Sequence, residues 1–363
     1  MDALKTTEKT RHLHPFLFVI ASLVSFGCVR MKGFDFEEEQ IKQEITKLGA
    51  KRVLLQLPEG LKPEGPRLAA IVEKTGALPI VSADPCYGAC DLAIDQASHL
   101  GVDLIVHFGH ARMVRHEQIP TLYIEARATL AVDEVVEKSL PLLAKWNRIG
   151  LATTVQHIQT IDQVRESLVR AGKTVVIGDA GQINYAGQVT GCNYTNVRSI
   201  AEEVDAFLFV GGGRFHALGI ALATSKPTII ADPYENKAYS IAADAQKIIK
   251  QRWASIEEAA KAKVFGVLVG LKPGQTHLDA ALRVKEAIEK SGKTACLLAI
   301  GEVTPESLLE FPTIDAYVNT ACPRISLEAP SKFSKPVLTV NEFMVVSGEV
   351  SWENLLKKGL FEN

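Results

Sequence analysis

Short apolar runs return along this chain in a fixed order, and the order occurs three times. The opening run of each unit reads RVLLQLPEG (52–60), RIGLATTVQ (148–156) and VFGVLVGLKPG (264–274). Each is continuous rather than alternating, as expected of a strand buried on both faces. An amphipathic helix follows each one. Ile161, Val164 and Leu168 share a face in the second unit, with Thr160 placed to cap that helix, and Ala281, Val284 and Ile288 share a face in the third. The helices close on Gly76, Gly172 and Gly292, as a left-handed C-cap requires.

Second strands run into IVSAD (80–84), VVIGD (175–179) and CLLAIGE (296–302). Third strands begin at Asp103, Asp205 and Asp315, and fourth strands are TLYIEA (121–126), PTIIADPY (227–234) and PVLTVNEF (336–343). Strand–helix alternation is common to all α/β chains. Four strands with matching glycine and acid punctuation, in three copies, go beyond that background. A period near one hundred residues is too long for a solenoid. The expected fold class is α/β, with three homologous small parallel-sheet (Rossmann-like) domains in a pseudo-threefold arrangement around a central site. The expected boundaries are 31–140, 141–256 and 257–363.

Residues 1–30 stand apart. Lys5 to His14 is basic and polar, and Pro15 to Val29 is an apolar run containing Cys28. The run is short for a membrane span and resembles a secretory signal. Phe26 fits a lipoprotein signal poorly, whereas MKGFDFEEEQIKQEI from Met31 opens like a cytosolic helix. The segment is therefore expected to be a non-structural extension with translation starting at Met31, and the rival is an export or anchor segment. Over all 363 residues the chain carries a formal charge of −2, which implies no general attraction to nucleic acid or to an anionic membrane. The expected location is cytoplasmic. Six cysteines in so long a chain do not make a disulfide scaffold.

Three of those cysteines carry the chemistry. Cys90 in YGACD and Cys192 in TGCNYTN follow second strands, and Cys322 in NTACPRIS follows a third strand. All three are expected at carboxyl ends of parallel strands, where α/β sheets gather ligand-handling loops. Asp91 and Asn193 can cap helices starting there, which would favour the thiolate. Three thiolates at one centre suit an iron–sulfur cluster with one iron left open. Zinc is the main metal alternative, although structural zinc sites use four ligands in short-spaced pairs. Cys296, inside an apolar strand, reads as core. Cys86 forms a Cys86-x-x-x-Cys90 pair whose role stays open.

With LPEG (57–60), YGACD (87–91), HFGH (107–110), GCN (191–193), GGGRFH (211–216), ADPY (231–234), KPGQ (272–275) and CPRIS (322–326), the chain from Met31 onward resembles one family. It is that of the archaeal enzyme of the first step of diphthamide synthesis, 2-(3-amino-3-carboxypropyl)histidine synthase. The resemblance implies a homodimer and a 4Fe–4S cluster held by one cysteine per domain, here Cys90, Cys192 and Cys322. It also implies S-adenosylmethionine beside the open iron and an electron donor to reduce the cluster. The expected reaction breaks the bond from sulfur to the methionine γ-carbon and transfers the 3-amino-3-carboxypropyl group to C2 of a histidine on translation elongation factor 2. Methylthioadenosine leaves.

Beside that resemblance, Gly211, Gly212 and Gly213 expose backbone N–H groups after a strand, and Arg214 stands next to them. These four and Gln275 are the expected S-adenosylmethionine contacts. His107, His110 and His216 read as hydrogen-bonded structural groups rather than ligands. Arg324 is expected to steady the cluster's charge or a carboxylate, or to form a structural ion pair, and Glu59 to cap the turn after it. The alternatives are a quinolinate synthase-like cluster enzyme, which GGGRFH and CPRIS do not fit, and an exported α/β binding lipoprotein, which gives no reason for strand-end cysteines.

Overall fold

The computed structural model describes residues 33–113, 118–328 and 330–361; the extension expected at 1–30 lies outside the described residues. Three sheets repeat one topology. The first comprises β1 (Arg52–Gln56), β2 (Leu78–Val81), β3 (Leu104–Phe108) and β4 (Thr121–Ile124), in the order β2-β1-β3-β4 and all parallel. The second has β5 (Arg148–Thr153), β6 (Thr174–Val176), β7 (Ala206–Val210) and β8 (Thr228–Asp232) in the order β6-β5-β7-β8. A further strand, β9 (Lys237–Ser240), pairs antiparallel on β8. The third has β10 (Val264–Gly270), β11 (Thr294–Ile300), β12 (Ala316–Asn319) and β13 (Val337–Thr339), in the order β11-β10-β12-β13.

Register repeats as faithfully as order. The residue after each unit's aspartate pairs with the second residue of that unit's first strand: Leu104 with Val53, Ala206 with Ile149, Ala316 with Phe265. The aspartates explain why. Asp103 accepts the backbone N–H groups of Lys51 and Arg52 at 2.8 and 2.9 Å, Asp205 those of Asn147 and Arg148, and Asp315 those of Lys263 and Val264. Each carboxylate thus pins the start of its neighbouring central strand and satisfies donors at the sheet's amino edge. A proline before each fourth strand completes the copy: Pro120, Pro227 and Pro336 accept from Ile105, Phe207 and Tyr317. The connecting helices α1 (Gly65–Glu73), α2 (Ile161–Arg170) and, in the third unit, Leu278–Lys290 are followed by Gly76, Gly172 and Gly292 at φ 86, 79 and 77°. Thr160 does not cap α2 with its side chain. A 3₁₀ turn over Val155–Thr160 runs straight into the helix, and the Thr160 hydroxyl donates back to His157.

The central strands carry the cores. Every residue of β3 and β7 is buried, as the continuous apolar runs require. Cys296 departs from expectation: it is exposed, because β11 is an edge strand and its residues alternate between exposed and half-buried. The units are tied to one another by the helix α3 (Ala242–Ala260). Its Ala245 and Ile248 enter the second core, and Ile256 and Ala259 enter the third. Midway, the fully buried Arg252 forms a bidentate ion pair with Glu342 at 2.7 and 2.6 Å and donates to the carbonyls of Ser326 and Val337. After the third sheet the chain crosses back, placing Leu355, Leu360 and Phe361 in the second core. Among the described residues no helix is long and apolar enough to cross a membrane.

Two predictions follow from these features. Removing one partner of a buried ion pair leaves an uncompensated charge, so Arg252→Met should cost about 3–5 kcal/mol in urea unfolding. Adding Glu342→Met should recover much of the loss, and a single-variant cost under about 1 kcal/mol would contradict this role. The second concerns acid. The backbone N–H groups above hold Asp103, Asp205 and Asp315 below the usual carboxylate range. Their contribution is present above the unfolded carboxylate pKa, about 3.9, and is lost as pH falls through the depressed native values. A triple Asp→Asn variant should show a flatter acid limb in unfolding midpoint against pH; superimposable limbs would exclude the effect.

Candidate metal centre

The repeated order places the carboxyl ends of the three sheets where Cys90, Cys192 and Cys322 sit. Cys90 lies in the loop between β2 and a helix at Ile94–His99. Gln56, at the end of β1, holds that loop from below: its amide nitrogen donates to the Asp91 carbonyl at 2.5 Å, and its oxygen accepts from Ala93 at 3.1 Å. Cys192 lies in a turn where Thr190 Oγ1 accepts from Asn193 N–H and stands 3.9 Å from the Cys192 sulfur. Cys322 follows β12, with its carbonyl held by Asn319 at 2.6 Å. The helices at Ile94–His99 and Thr195–Ser199 begin beyond Asp91 and Asn193. Asp91 therefore caps neither; it accepts from the Tyr87 N–H and pairs with Lys272. Asn193 accepts instead from the backbone and hydroxyl of Thr195.

The three thiols share one electrostatic neighbourhood. Burial pushes all three up, Cys322 to about 12; the Cys192 and Cys90 charges add to the burial of Cys322, and that of Cys192 to Cys90. Helix-assisted thiolates, as expected from sequence, are therefore not what the protein makes alone. Hydrogen bonds oppose this rise: from Gln275 and its own backbone N–H at Cys90, from Thr190 at Cys192, and from the Arg324 backbone N–H at Cys322. A desolvated group of thiols with few donors fits a cation that displaces the three protons and is neutralised by the sulfurs. This donor set fits an iron–sulfur cluster, with its sulfurs tuned by hydrogen bonds.

Across the interface, the third unit's loop 272–275 grips Cys90. The Gly274 N–H donates to the Cys90 carbonyl at 2.7 Å. A Cβ on Gly274 would lie 2.6 Å from that of Cys90, so only glycine permits the approach. Gln275, itself buried, donates from Nε2 to the Cys90 sulfur at 3.4 Å. Lys272 bonds Asp91 at 2.6 Å and Glu302 at 2.8 Å and lies over the Tyr87 ring, whose hydroxyl donates to Glu302.

Arg324 stands on the other side. Its guanidinium lies 3.7 Å over the Phe215 ring, and Nη1 donates to the Tyr87 carbonyl at 3.4 Å. Gly191 makes room, since a Cβ there would be 2.9 Å from both Arg324 and Phe215. The three histidines are neutral. Gln56 Oε1 can only accept, so His107 Nδ1 carries the hydrogen; His107 Nε2 then accepts from His110 Nδ1 at 3.0 Å. Burial and then Arg324 hold His110 at about 4, and the same causes hold His216 at about 3. Cys86, His107 and His110 bring possible ligand atoms within 4.8 Å of one another, but this chain of hydrogen bonds already uses the ring nitrogens that face each other.

Residues 57–356 match the model of a family described as "Putative diphthamide synthesis protein". This chain belongs to that family. It is similar to 2-(3-amino-3-carboxypropyl)histidine synthase of Pyrococcus horikoshii, with 38% identity over 316 residues covering 86% of this chain and 91% of the relative. It is 31% identical over 319 residues to subunit 1 of the same synthase from Saccharomyces cerevisiae, covering 86% and 75%. The crystal structure of Dph2 from Pyrococcus horikoshii superposes with a TM-score of 0.81 at 36% identity, covering 88% of this chain and 92% of that one. A second crystal structure of that Dph2, with a 4Fe–4S cluster, superposes equally well.

In this family member, the GGGRFH segment meets the centre through Phe215 rather than Arg214. Arg214 is exposed, pairs with Asp244 at 3.1 Å and lies over Tyr239. The Gly211 N–H continues the ladder to Ala231, and the Gly213 N–H is taken by the Asp232 carboxylate at 2.9 Å. Glu59 does not cap its turn through its side chain, but accepts the Cys86 N–H at 3.0 Å. Sequence reasoning quoted KPGQ without a role for Lys272, and gave none to Phe215, Tyr87 or Gln56. The signal available was a lysine within the KPGQ turn that follows a central strand.

Gly274→Ala should force the loop off Cys90. The expected cost is about 1–3 kcal/mol of metal-free stability. Iron retained after anaerobic reconstitution should also fall. Undiminished iron with unchanged unfolding would show that the close approach is dispensable.

Proposed function

We propose that this chain is a 2-(3-amino-3-carboxypropyl)histidine synthase, a transferase whose cofactors are a 4Fe–4S cluster and S-adenosylmethionine. The single observation that supports it most is the convergence of one strand-end cysteine from each repeated unit, Cys90, Cys192 and Cys322, into one desolvated neighbourhood. Those three residues are the cluster ligands. A cluster bound there supplies one electron at low potential and an iron open to the sulfonium cofactor.

The chain's own residues supply placement. Burial at the meeting of three sheets excludes water, which strengthens every interaction within. The loop 272–275 fixes Cys90, and Asn319 with the Arg324 N–H fixes Cys322. Arg324 contributes the positive charge felt by Cys192 and Cys322, while neutral His110 and His216 add none. The reaction transfers the 3-amino-3-carboxypropyl group to C2 of a histidine on translation elongation factor 2, with cleavage between sulfur and the γ-carbon and release of methylthioadenosine. The protein acts in the cytoplasm as a homodimer served by a separate electron donor.

Anaerobically purified protein should be brown, with about four irons per chain. With dithionite it should convert S-adenosylmethionine to methylthioadenosine and label one histidine of elongation factor 2. Cys90→Ala, Cys192→Ala and Cys322→Ala should each lose most of the iron, whereas the exposed Cys296→Ala should keep it. Release of 5′-deoxyadenosine would overturn the bond assignment, and iron retention in all three cysteine variants would overturn the ligand set.

A further inference from the structure

Gln275 belongs to the third unit, yet its amide ends on the sulfur of the first unit's cysteine. Its Nε2 lies 3.4 Å from Cys90 Sγ, and the residue is only 5% exposed. The backbone aims it: the Gln275 N–H closes a turn onto the Lys272 carbonyl at 2.9 Å, and Gly274 is pinned to the Cys90 carbonyl at 2.7 Å. Lys272, at the head of the same turn, pairs with Asp91 next to Cys90. Lys272, Gly274 and Gln275 therefore hold one short turn against Cys90 and its neighbour, which brings the amide to the sulfur. The other two sulfurs are served differently. Cys192 has the Thr190 hydroxyl at 3.9 Å, and Cys322 has a backbone N–H. Gln275 is the one side-chain amide directed at the trio among the described residues.

We propose that Gln275 is a positioning residue that sets the reduction potential of the metal centre through its hydrogen bond to the Cys90 sulfur, rather than a contact to S-adenosylmethionine. This rests on the cluster assignment above. A donor to a ligating sulfur draws negative charge off the metal–sulfur unit and favours the electron-rich, reduced form; hydrogen bonds to sulfur are among the determinants of cluster potential. In the low dielectric of this interior the bond acts at close to full strength. No atom is transferred, and one external electron is the only redox participant.

The test compares wild type, Gln275→Leu and Gln275→Glu as anaerobically reconstituted full-length protein. Iron per chain is counted first, and the potential is then read by dithionite titration followed by electron paramagnetic resonance. Gln275→Leu removes the donor, and the reduced-to-oxidised ratio at a fixed potential should fall about tenfold, a midpoint shift of about 59 mV to lower potential for one electron. Gln275→Glu adds charge as well and should shift at least as far in the same direction. If Gln275→Leu fails to hold the cluster, Gln275→Glu provides the reading; loss of iron from both would make Gln275 a determinant of assembly and overturn the tuning role. Full iron with unmoved potentials would refute the proposal, and so would a changed S-adenosylmethionine affinity at constant potential. Absence of iron from the wild type would instead refute the cluster assignment itself.

Discussion

The close approach of the Gly274 backbone to Cys90 is the contact on which the rest of the centre depends. Cys90 rides on the first sheet and Cys322 on the third, and their sulfurs can serve one site only if these two sheets meet within the reach of a loop. A side chain at 274 would occupy the space that the Cys90 backbone fills. Around that contact the protein places groups that gain from it: an amide on the sulfur, a lysine between two acids, and a phenol ring beneath the lysine. Buried charges are tolerated when paired, and Lys272 between Asp91 and Glu302 is paired on both sides.

The fold divides its work between the two ends of each sheet. At the amino ends, three aspartates secure the central strands by the same pair of backbone hydrogen bonds. At the carboxyl ends the copies diverge: Cys90 and Cys192 follow second strands, whereas Cys322 follows a third. Triplication thus supplied a scaffold whose stability does not rest on the loops that carry the chemistry. Those loops could then differ in length and in the strand they follow without disturbing register.

Much of this was legible from local pattern. The four strands of each unit, the left-handed glycines after its helix and the cysteines in the loops beyond are recorded in short stretches whose physics is local, and they reappear in the structure. What was not legible depends on neighbours remote in sequence. Cys296 read as core because its strand is apolar, but an edge position leaves alternate residues uncovered, and only the sheet order reveals the edge. Asp91 read as a cap because aspartate commonly is one, but a lysine from the third unit claims its carboxylate. Arg214 read as an S-adenosylmethionine contact beside a glycine run, and its pairing with Asp244 of helix α3 carried no sequence signal. Phe215 carried no chemical signal, since its role is to seat the guanidinium of Arg324.

Holding a metal centre by one cysteine from each of three units would also have a mechanical consequence. When all the ligands sit on one loop, metal binding orders that loop alone. Here a bound cation would bridge three sheets already joined by α3 and by the returning C-terminal segment. Since binding that requires a folded arrangement adds to the stability of that arrangement, loading the centre and holding the units together become one equilibrium. The neutral histidines fit this balance. His107 and His110 lie close to Cys86, and His110 reaches the Gly88 turn beside Cys90, where a charged imidazole would oppose an incoming cation. Burial keeps them uncharged, and the positive charge felt by Cys192 and Cys322 is that of Arg324. Three desolvated thiols with no charged imidazole beside them would favour a metal centre over three separately held protons.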